Sequence, residues 1–257
     1  MRRTMLAVIS LLLINLHAIS PSAFHEASNG LSLLNKHPSN STIHSSLICK
    51  GIETSVTRIF NLTQLSYYNF HINYSINSFG FAYGIAYLDN PLYQEYNNNL
   101  SASYSWKYLT FGYGLDYIYT KTKNYSDQQA IPMNLSCAWK EDNFSTVFSL
   151  HNTFSSKLAN VDLPKTFIWE SNLKVSKKSN FSLGFEKEDN FDFSIKFGTI
   201  YHFFNNFALI TSYQYQPNRM GIGTVFSINK IQLCYAIRTH DHLNLSHYIT
   251  LYYEISN

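Results

Sequence analysis

Residues 111–120 read FGYGLDYIYT, and in this run large side chains alternate with small or polar ones. One face of an extended chain would carry Phe111, Tyr113, Leu115, Tyr117 and Tyr119, and the other would carry Gly112, Gly114, Asp116 and Thr120. A repeat of two predicts a β-strand with a single apolar face. The same split recurs in 167–176, 181–187, 191–201, 207–216, 231–238 and 249–255. From residue 50 onward the chain is therefore predicted to be all β.

The composition excludes several other classes of protein. Aromatic residues make up 16% of the 257 residues, whereas charged residues make up only 14%, well below the roughly one quarter of an average globular chain. Disordered chains show the opposite bias. The net charge of +3 is spread along the chain without a basic cluster, which argues against a nucleic-acid partner.

Three features favour a membrane barrel over the alternative, a soluble secreted β-protein. The alternating runs extend over about 9–12 residues, the length of tilted membrane strands, whereas soluble strands are mostly about 5–6 residues long. Their polar faces carry charges of both signs at mid-strand. The fourteen predicted strands are joined by short turns after even-numbered strands and mostly by longer loops after odd-numbered ones, at 61–66, 89–95, 121–128, 152–164 and 239–245. Two connections after odd-numbered strands, at 188–189 and 217–218, are predicted to be tight turns. This pattern predicts an antiparallel transmembrane β-barrel with short periplasmic turns and longer outer loops.

The N-terminus is typical of a secretory signal peptide. Arg2 and Arg3 precede the apolar stretch 5–16, and the small residues Ser22 and Ala23 follow. We therefore predict a signal peptide over 1–23, cleaved after Ser20, Ser22 or Ala23. The remaining divisions are an N-terminal periplasmic or lumen segment over 24–49 and the barrel over 50–257. Export combined with a barrel predicts the bacterial outer membrane as the location.

Five charged residues fall on the predicted lumen face, namely Glu170, Lys174, Glu186, Asp192 and Lys196. They carry both signs and occur on neighbouring strands. Two interpretations remain open for this set. The residues form either a structural ladder of ion pairs across the lumen or a constriction that selects solutes.

A histidine-rich stretch covers residues 239–247 and permits three interpretations. His240, His242 and His247 with Asp241 are residue types that bind zinc or nickel. Alternatively, Ser246 with a neighbouring histidine and Glu254 would resemble a hydrolase triad. Eight residues of strand separate Ser246 from Glu254 by about 27 Å, which argues against the triad. A plain outer loop is favoured.

The three cysteines, Cys49, Cys137 and Cys234, are interpreted as small strand fillers rather than as a redox or metal site.

Three stretches carry a resemblance to a known family. They are Leu33-Leu34-Asn35-Lys36-His37-Pro38-Ser39-Asn40, Phe79-Gly80-Phe81-Ala82-Tyr83-Gly84-Ile85-Ala86-Tyr87-Leu88, and the closing run with Tyr235, Ala236, His240, Leu243, Ser246, His247 and Leu251-Tyr252-Tyr253. They are similar to the opening segment, the third strand and the barrel-closing strands of PorV/PorQ-type and FadL-type outer-membrane barrels. Within the closing run, Tyr235, His240, Ser246 and His247 match the family's ending. Asn244 stands where the family usually has glycine, and the chain is short for either family.

The resemblance implies a fourteen-strand barrel and two functions. A PorV/PorQ-type barrel would be a non-enzymatic partner in type IX-like protein secretion or surface assembly, and this is the function we predict. A FadL-like or porin-like barrel would instead transport hydrophobic or small solutes. The expected partners are outer-membrane lipid and, for the first function, secretion-system or exported proteins. No cofactor is predicted.

Overall fold

The structure is a computed structural model and describes residues 22–189, 191–240 and 243–255. The predicted signal peptide lies almost entirely outside the described residues. Within them, no helix has both the length and the apolar character needed to cross a membrane.

The described chain is predominantly β. Its strands are β1 (Gly51–Arg58), β2 (Ser66–Ile76), β3 (Phe79–Asn90), β4 (Tyr93–Trp106), β5 (Leu109–Thr122), β6 (Gln128–Ala130), β7 (Met133–Lys140), β8 (Phe144–His151), β9 (Lys157–Leu158), β10 (Val161–Asp162), β11 (Thr166–Lys174), β12 (Ser179–Glu188), β13 (Ser194–Phe204), β14 (Phe207–Tyr215), β15 (Arg219–Ile228), β16 (Ile231–Arg238) and β17 (Ser246–Tyr253). Two short 3-10 helices, Ile59–Asn61 and Thr63–Leu65, connect β1 to β2.

These strands form a closed antiparallel barrel of fourteen strands, which confirms the predicted fold class. The first strand, β1, pairs with the last, β17, and β4 pairs with β5, so the sheet closes on itself. β6 and β7 together make one traverse of the wall. They are interrupted at Ile131 and Pro132, because proline lacks the N–H that a ladder bond needs. β9 and β10 form a separate hairpin in an outer loop.

The connections differ at the two ends of the barrel. At the end where β1 begins, the turns span only 77–78, 107–108, 141–143, 175–178, 205–206 and 229–230. Asn77 and Asn229 open two of them with φ angles of 51° and 52°, a left-handed conformation that asparagine adopts more readily than most residues. Short turns mark the periplasmic end of such barrels.

The opposite, outer end departs from the predicted loops in two places. The loop predicted at 89–95 is wrong, because β3 and β4 extend to Asn90 and Tyr93 and leave a two-residue turn. Stacking of Tyr87 on Tyr96, with ring centroids 4.5 Å apart, accompanies this extension. The tight turn predicted at 188–189 is also wrong, because β13 begins only at Ser194.

Side chains alternate between the two faces of the wall as predicted. In β13, Ser194, Lys196 and Gly198 face the lumen and are buried, whereas Phe197 and Tyr201 are exposed on the outside. Exposed Phe, Tyr, Leu and Ile side chains cover the outer face of nearly every strand. An apolar outer face of this kind suits contact with lipid.

Residues 22–50, here named the lumen segment, run through the inside of the barrel. They include two short helices, α1 (Ala23–Ala27) and α2 (Asn40–Ile43). The backbone of the segment touches the wall where the wall has glycine: a Cβ on Gly112 would lie 2.2 Å from the Ser46 nitrogen. An apolar cluster attaches the segment to strands β13–β17 and includes Phe24, Ala27, Leu31, Leu34, Ile200, Ile210, Val225, Ala236 and Tyr248.

The longest outer connection, residues 152–165, folds back onto the barrel. Leu158 and Leu163 are buried in a small apolar cluster with the inward-facing Ile118 and Ala130. The side-chain amide of Asn152 donates to the Leu163 carbonyl and fixes the loop at its base. The loop thus covers the β5–β7 side of the outer mouth.

Candidate functional site

The candidate site is the lumen, where the lumen segment meets the inward-facing side chains of the wall. On β1, the fully buried carboxylate of Glu53 accepts hydrogen bonds from the Ser39 backbone N–H at 3.1 Å and from the Ser39 hydroxyl at 2.8 Å. His37 Nδ1 lies 3.2 Å from the same carboxylate. Several donors satisfy a charge that would otherwise be costly to bury.

A second contact of the same kind lies on the opposite side of the segment. His44 Nε2 is 2.8 Å from Glu170 Oε1, and His44 Nδ1 is 2.6 Å from the Ser149 hydroxyl. The Leu33 backbone N–H donates to the other oxygen of Glu170 at 3.1 Å. Glu53 and Glu170 are therefore each held by a histidine and a backbone N–H of the lumen segment.

Two more polar contacts fix the segment near the outer half of the lumen. The guanidinium group of Arg238 on β16 pairs with the Glu26 carboxylate on α1. On β14, the Ser212 hydroxyl donates to the Ala27 carbonyl at 2.7 Å and accepts from the Asn29 amide at 3.0 Å. The apolar cluster beside α1 completes this part of the attachment.

The five charged residues predicted on the lumen face do not form one ladder. Glu186 and Lys196 pair at 2.6 Å, and Glu170 faces the lumen but contacts His44. Lys174 is exposed at the periplasmic end of β11, and Asp192 is exposed in the outer connection between β12 and β13. No single ladder forms, because Glu170 pairs with the lumen segment, whose course the strand pattern does not reveal, and because Lys174 and Asp192 lie at opposite ends of the wall.

The four residues of the closing motif divide into two pairs at the outer end of β16 and β17. Tyr235 and His247 face outward, with the phenol oxygen 2.8 Å from His247 Nδ1. His240 Nε2 lies 2.9 Å from the Ser246 hydroxyl, which also accepts the Phe60 backbone N–H at 2.9 Å. Burial, followed by the charges of Arg238 and Arg219, lowers the pKa of His240 to about 3.

The metal and hydrolase interpretations of this stretch gain little from the geometry. Asp241 and His242 lie outside the described residues, and the described residues contain no His, Cys, Asp or Glu group suited to a metal ion. Glu254 follows the end of β17 opposite to Ser246, so the proposed triad members lie at different ends of the strand. The three cysteines are free thiols.

Cavities lie on both sides of the lumen segment. At the outer mouth, a cavity of 420 Å³ is bounded by β12, β14, β15 and the connection that contains Phe191 and Asp192. At the periplasmic end, a vestibule of 770 Å³ contains the side chains of Lys36, Lys140 and Lys174. A neighbouring cavity of 260 Å³ shares Lys36 and Lys140 with it.

Among the comparisons with known proteins, only the search of solved structures finds matches. No family model matches the chain, and a search of curated proteins finds no match either. The toluene transporter TbuX of Ralstonia pickettii has a TM-score of 0.67 at 11% identity, covering 94% of this chain and 100% of that one. The chain has the fold of an outer-membrane β-barrel of this kind. A TodX deltaS2S3 mutant, a monoaromatic hydrocarbon channel, has a TM-score of 0.69 at 8% identity, covering 91% and 99% of the two chains.

These similarities confirm the predicted location in the bacterial outer membrane. They support the FadL-like part of the sequence resemblance, whereas none of the comparisons supports the narrower PorV/PorQ type. At this level of identity the likeness concerns the fold.

Sequence reasoning missed most of the residues that hold the lumen segment. Glu53 lies at an inward position of β1, so the alternation of that strand alone would have placed its side chain in the lumen. His37, His44 and Glu26 lie outside the alternating pattern, so no periodicity assigns them a partner. Their contacts join residues far apart along the chain, such as His44 and Glu170, and depend on the path of the segment through the closed barrel.

Proposed function

We propose that this protein is a non-enzymatic outer-membrane channel for small or hydrophobic solutes, and that movement of the lumen segment opens it. One observation carries the proposal. The closed barrel contains a segment held by side-chain contacts, with a 420 Å³ cavity on its outer side and a 770 Å³ vestibule on its periplasmic side.

The chemistry of these contacts is compatible with movement. A hydrogen bond inside a protein contributes only about 0.5–1.5 kcal/mol net, because water replaces it when it breaks. The contacts of the Ser212 hydroxyl with the segment are of this kind, whereas each hydrogen bond to the charged Glu53 or Glu170 contributes about 1.5–3 kcal/mol. The wall, in contrast, is held by its own backbone ladder. The segment can therefore shift while the barrel stays closed.

The structural neighbours support the same class of function. Both are described as a transporter or a channel, for toluene and for monoaromatic hydrocarbons respectively. Partnership in secretion, predicted from the closing run, stays a prediction that none of the comparisons supports. The two cavities along the lumen favour passage of a solute.

A reversible cross-link between the segment and the wall tests the proposal. The hydroxyl oxygens of Ser45 and Ser136 lie 2.9 Å apart, so these two side chains meet across the contact between segment and wall and are the positions to replace with cysteine. We would combine Ser45→Cys and Ser136→Cys with Cys49→Ser, Cys137→Ala and Cys234→Ala. Liposomes containing the oxidised protein should admit a small neutral solute slowly, and reduction should restore the rate.

The single variants Ser45→Cys and Ser136→Cys in the same cysteine-free background provide matched controls, because reductant should not change their rates. Thiol titration verifies that the cross-link has formed. Equal rates before and after reduction of a fully cross-linked sample would show that the segment need not move. Rates equal to those of protein-free liposomes in every state would exclude a channel.

A further inference from the structure

The outer cavity combines acidic, basic and amide side chains in one lining. Its 420 Å³ lies within the roughly 300–1,000 Å³ typical of small-molecule sites. Charged and amide residues make up most of the lining, and Phe191 and Pro217 are its apolar residues. The residues that matter for recognition are Glu186, Glu188, Phe191, Asp192, Gln216 and Arg219.

The charges in this cavity are mostly not paired with one another. Glu186 pairs with Lys196, which lies outside the lining. Within the part of the chain that the structure describes, the Arg219 guanidinium and the carboxylates of Glu188 and Asp192 form no ion pair. One carboxylate oxygen of Glu188 is also buried without a hydrogen-bond donor among these residues. Unsatisfied buried polar atoms are uncommon in proteins and require an explanation.

We infer that the outer cavity binds a small zwitterionic solute of the amino-acid or short-peptide class. This inference rests on the proposed function, because it names the solutes that the channel admits. The carboxylate of the solute binds the Arg219 guanidinium, whose planar fork matches two carboxylate oxygens. The ammonium group binds Glu188 and Asp192, and Phe191 contacts the carbon skeleton.

Other solute classes satisfy this lining less well. A hydrocarbon would remove water from the charged groups without replacing the lost hydrogen bonds, which is unfavourable. An anion would leave Glu188 and Asp192 unpaired, and a cation would leave Arg219 unpaired. A solute with both charges satisfies all three.

The cavity also lies next to the lumen segment. Glu186 lines the cavity and holds Lys196, and the Lys196 ammonium lies 3.1 Å from the position of a Cβ on Gly30. Gly30 belongs to the lumen segment. A solute bound in this cavity therefore lies next to the lumen segment, whose movement opens the channel.

Glycine and its uncharged isomer glycolamide provide a sharp test. The two have the same atoms and nearly the same size, so only the zwitterionic charge differs. Swelling rates of liposomes containing the full chain would be measured for both solutes and corrected with protein-free liposomes. We expect wild-type protein to admit glycine faster than glycolamide. Arg219→Gln and Glu188→Gln should each lower this ratio by about tenfold, the effect of losing one charged hydrogen bond.

Lys157→Gln provides the matched control, because Lys157 lies in the outer loop, pairs with Asp162 and is 62% exposed. Its glycine-to-glycolamide ratio should equal that of wild type. Equal corrected rates for the two solutes in wild-type protein would overturn the inference and leave the channel intact. The same loss of ratio in Lys157→Gln would overturn it as well. Absence of swelling with either solute would refute the channel itself.

Discussion

At the residue scale, His25 on α1 is a buried histidine of the lumen segment. Neither of its ring nitrogens has a hydrogen-bond partner among the described residues. The His37 ring lies 6.1 Å away between centroids, and the Lys196 ammonium approaches from β13. Burial lowers the pKa of His25 well below 6.5, and repulsion from His37 and Lys196 adds to the effect. The imidazole is therefore neutral while the segment occupies the lumen.

Because His25 is neutral while the segment is bound, we expect acid to weaken the attachment of the lumen segment. A released segment takes up a proton at His25 with the usual pKa of about 6.5, whereas the bound segment does not. Binding is therefore strongest above that pH and weakens below it. Liposome permeability to glycolamide should rise between about pH 7.5 and pH 5. His25→Gln should reduce the rise, whereas His247→Gln, on the outward face, should retain it. A full rise in His25→Gln would contradict the assignment.

At the scale of elements, β5 presents two glycines to the lumen segment in different ways. A Cβ on Gly112 would lie 2.2 Å from the Ser46 nitrogen and 2.3 Å from the Ser45 carbonyl carbon. A Cβ on Gly114 would meet its nearest neighbour, the Ser101 hydroxyl, at 3.3 Å. Backbone atoms of the segment yield only if the segment shifts, whereas a hydroxyl can rotate away.

We therefore expect Gly112→Ala to displace the segment and Gly114→Ala to leave it in place. Overpacking of this kind typically costs about 1–3 kcal/mol. Because the barrel ladder is unaffected, Gly112→Ala should fold but make the segment more accessible to protease and the channel more permeable. Gly114→Ala is the matched control on the same strand and face. Equal protease sensitivity of the two variants would contradict this account of the contact.

Strand patterns predicted the wall well because each strand has one lipid-facing side. The strand predictions failed where a contact between protein side chains, rather than contact with lipid, determines the structure. Pairing of Tyr87 with Tyr96 extends β3 and β4 through the predicted loop at 89–95. Ile118 breaks the small or polar pattern of its face because Leu158 and Leu163 cover it from the outer loop. Such partners lie far along the chain, beyond the reach of a local repeat.

At the scale of the whole molecule, the sequence predicts the closed wall but not the path of the lumen segment. A wall that alternates between lipid and lumen has only one arrangement that pairs its backbone groups, namely closure. The lumen segment lacks such a repeat. Its position depends on Glu53, Glu170 and Arg238, which are separated along the chain and come together only when the barrel closes.

The closed wall leads to a prediction for the intact protein. Because β1 pairs with β17, unfolding requires many ladder bonds to break together, and detergent alone should not achieve this. Unboiled protein folded in detergent should therefore migrate differently on a gel from boiled protein. Glu53→Gln should retain the shift, because this change alters the contact with the lumen segment and leaves the ladder intact. Absence of a shift in wild-type protein, with recovery in the soluble fraction, would mean that the apolar faces pack against each other and that no barrel forms.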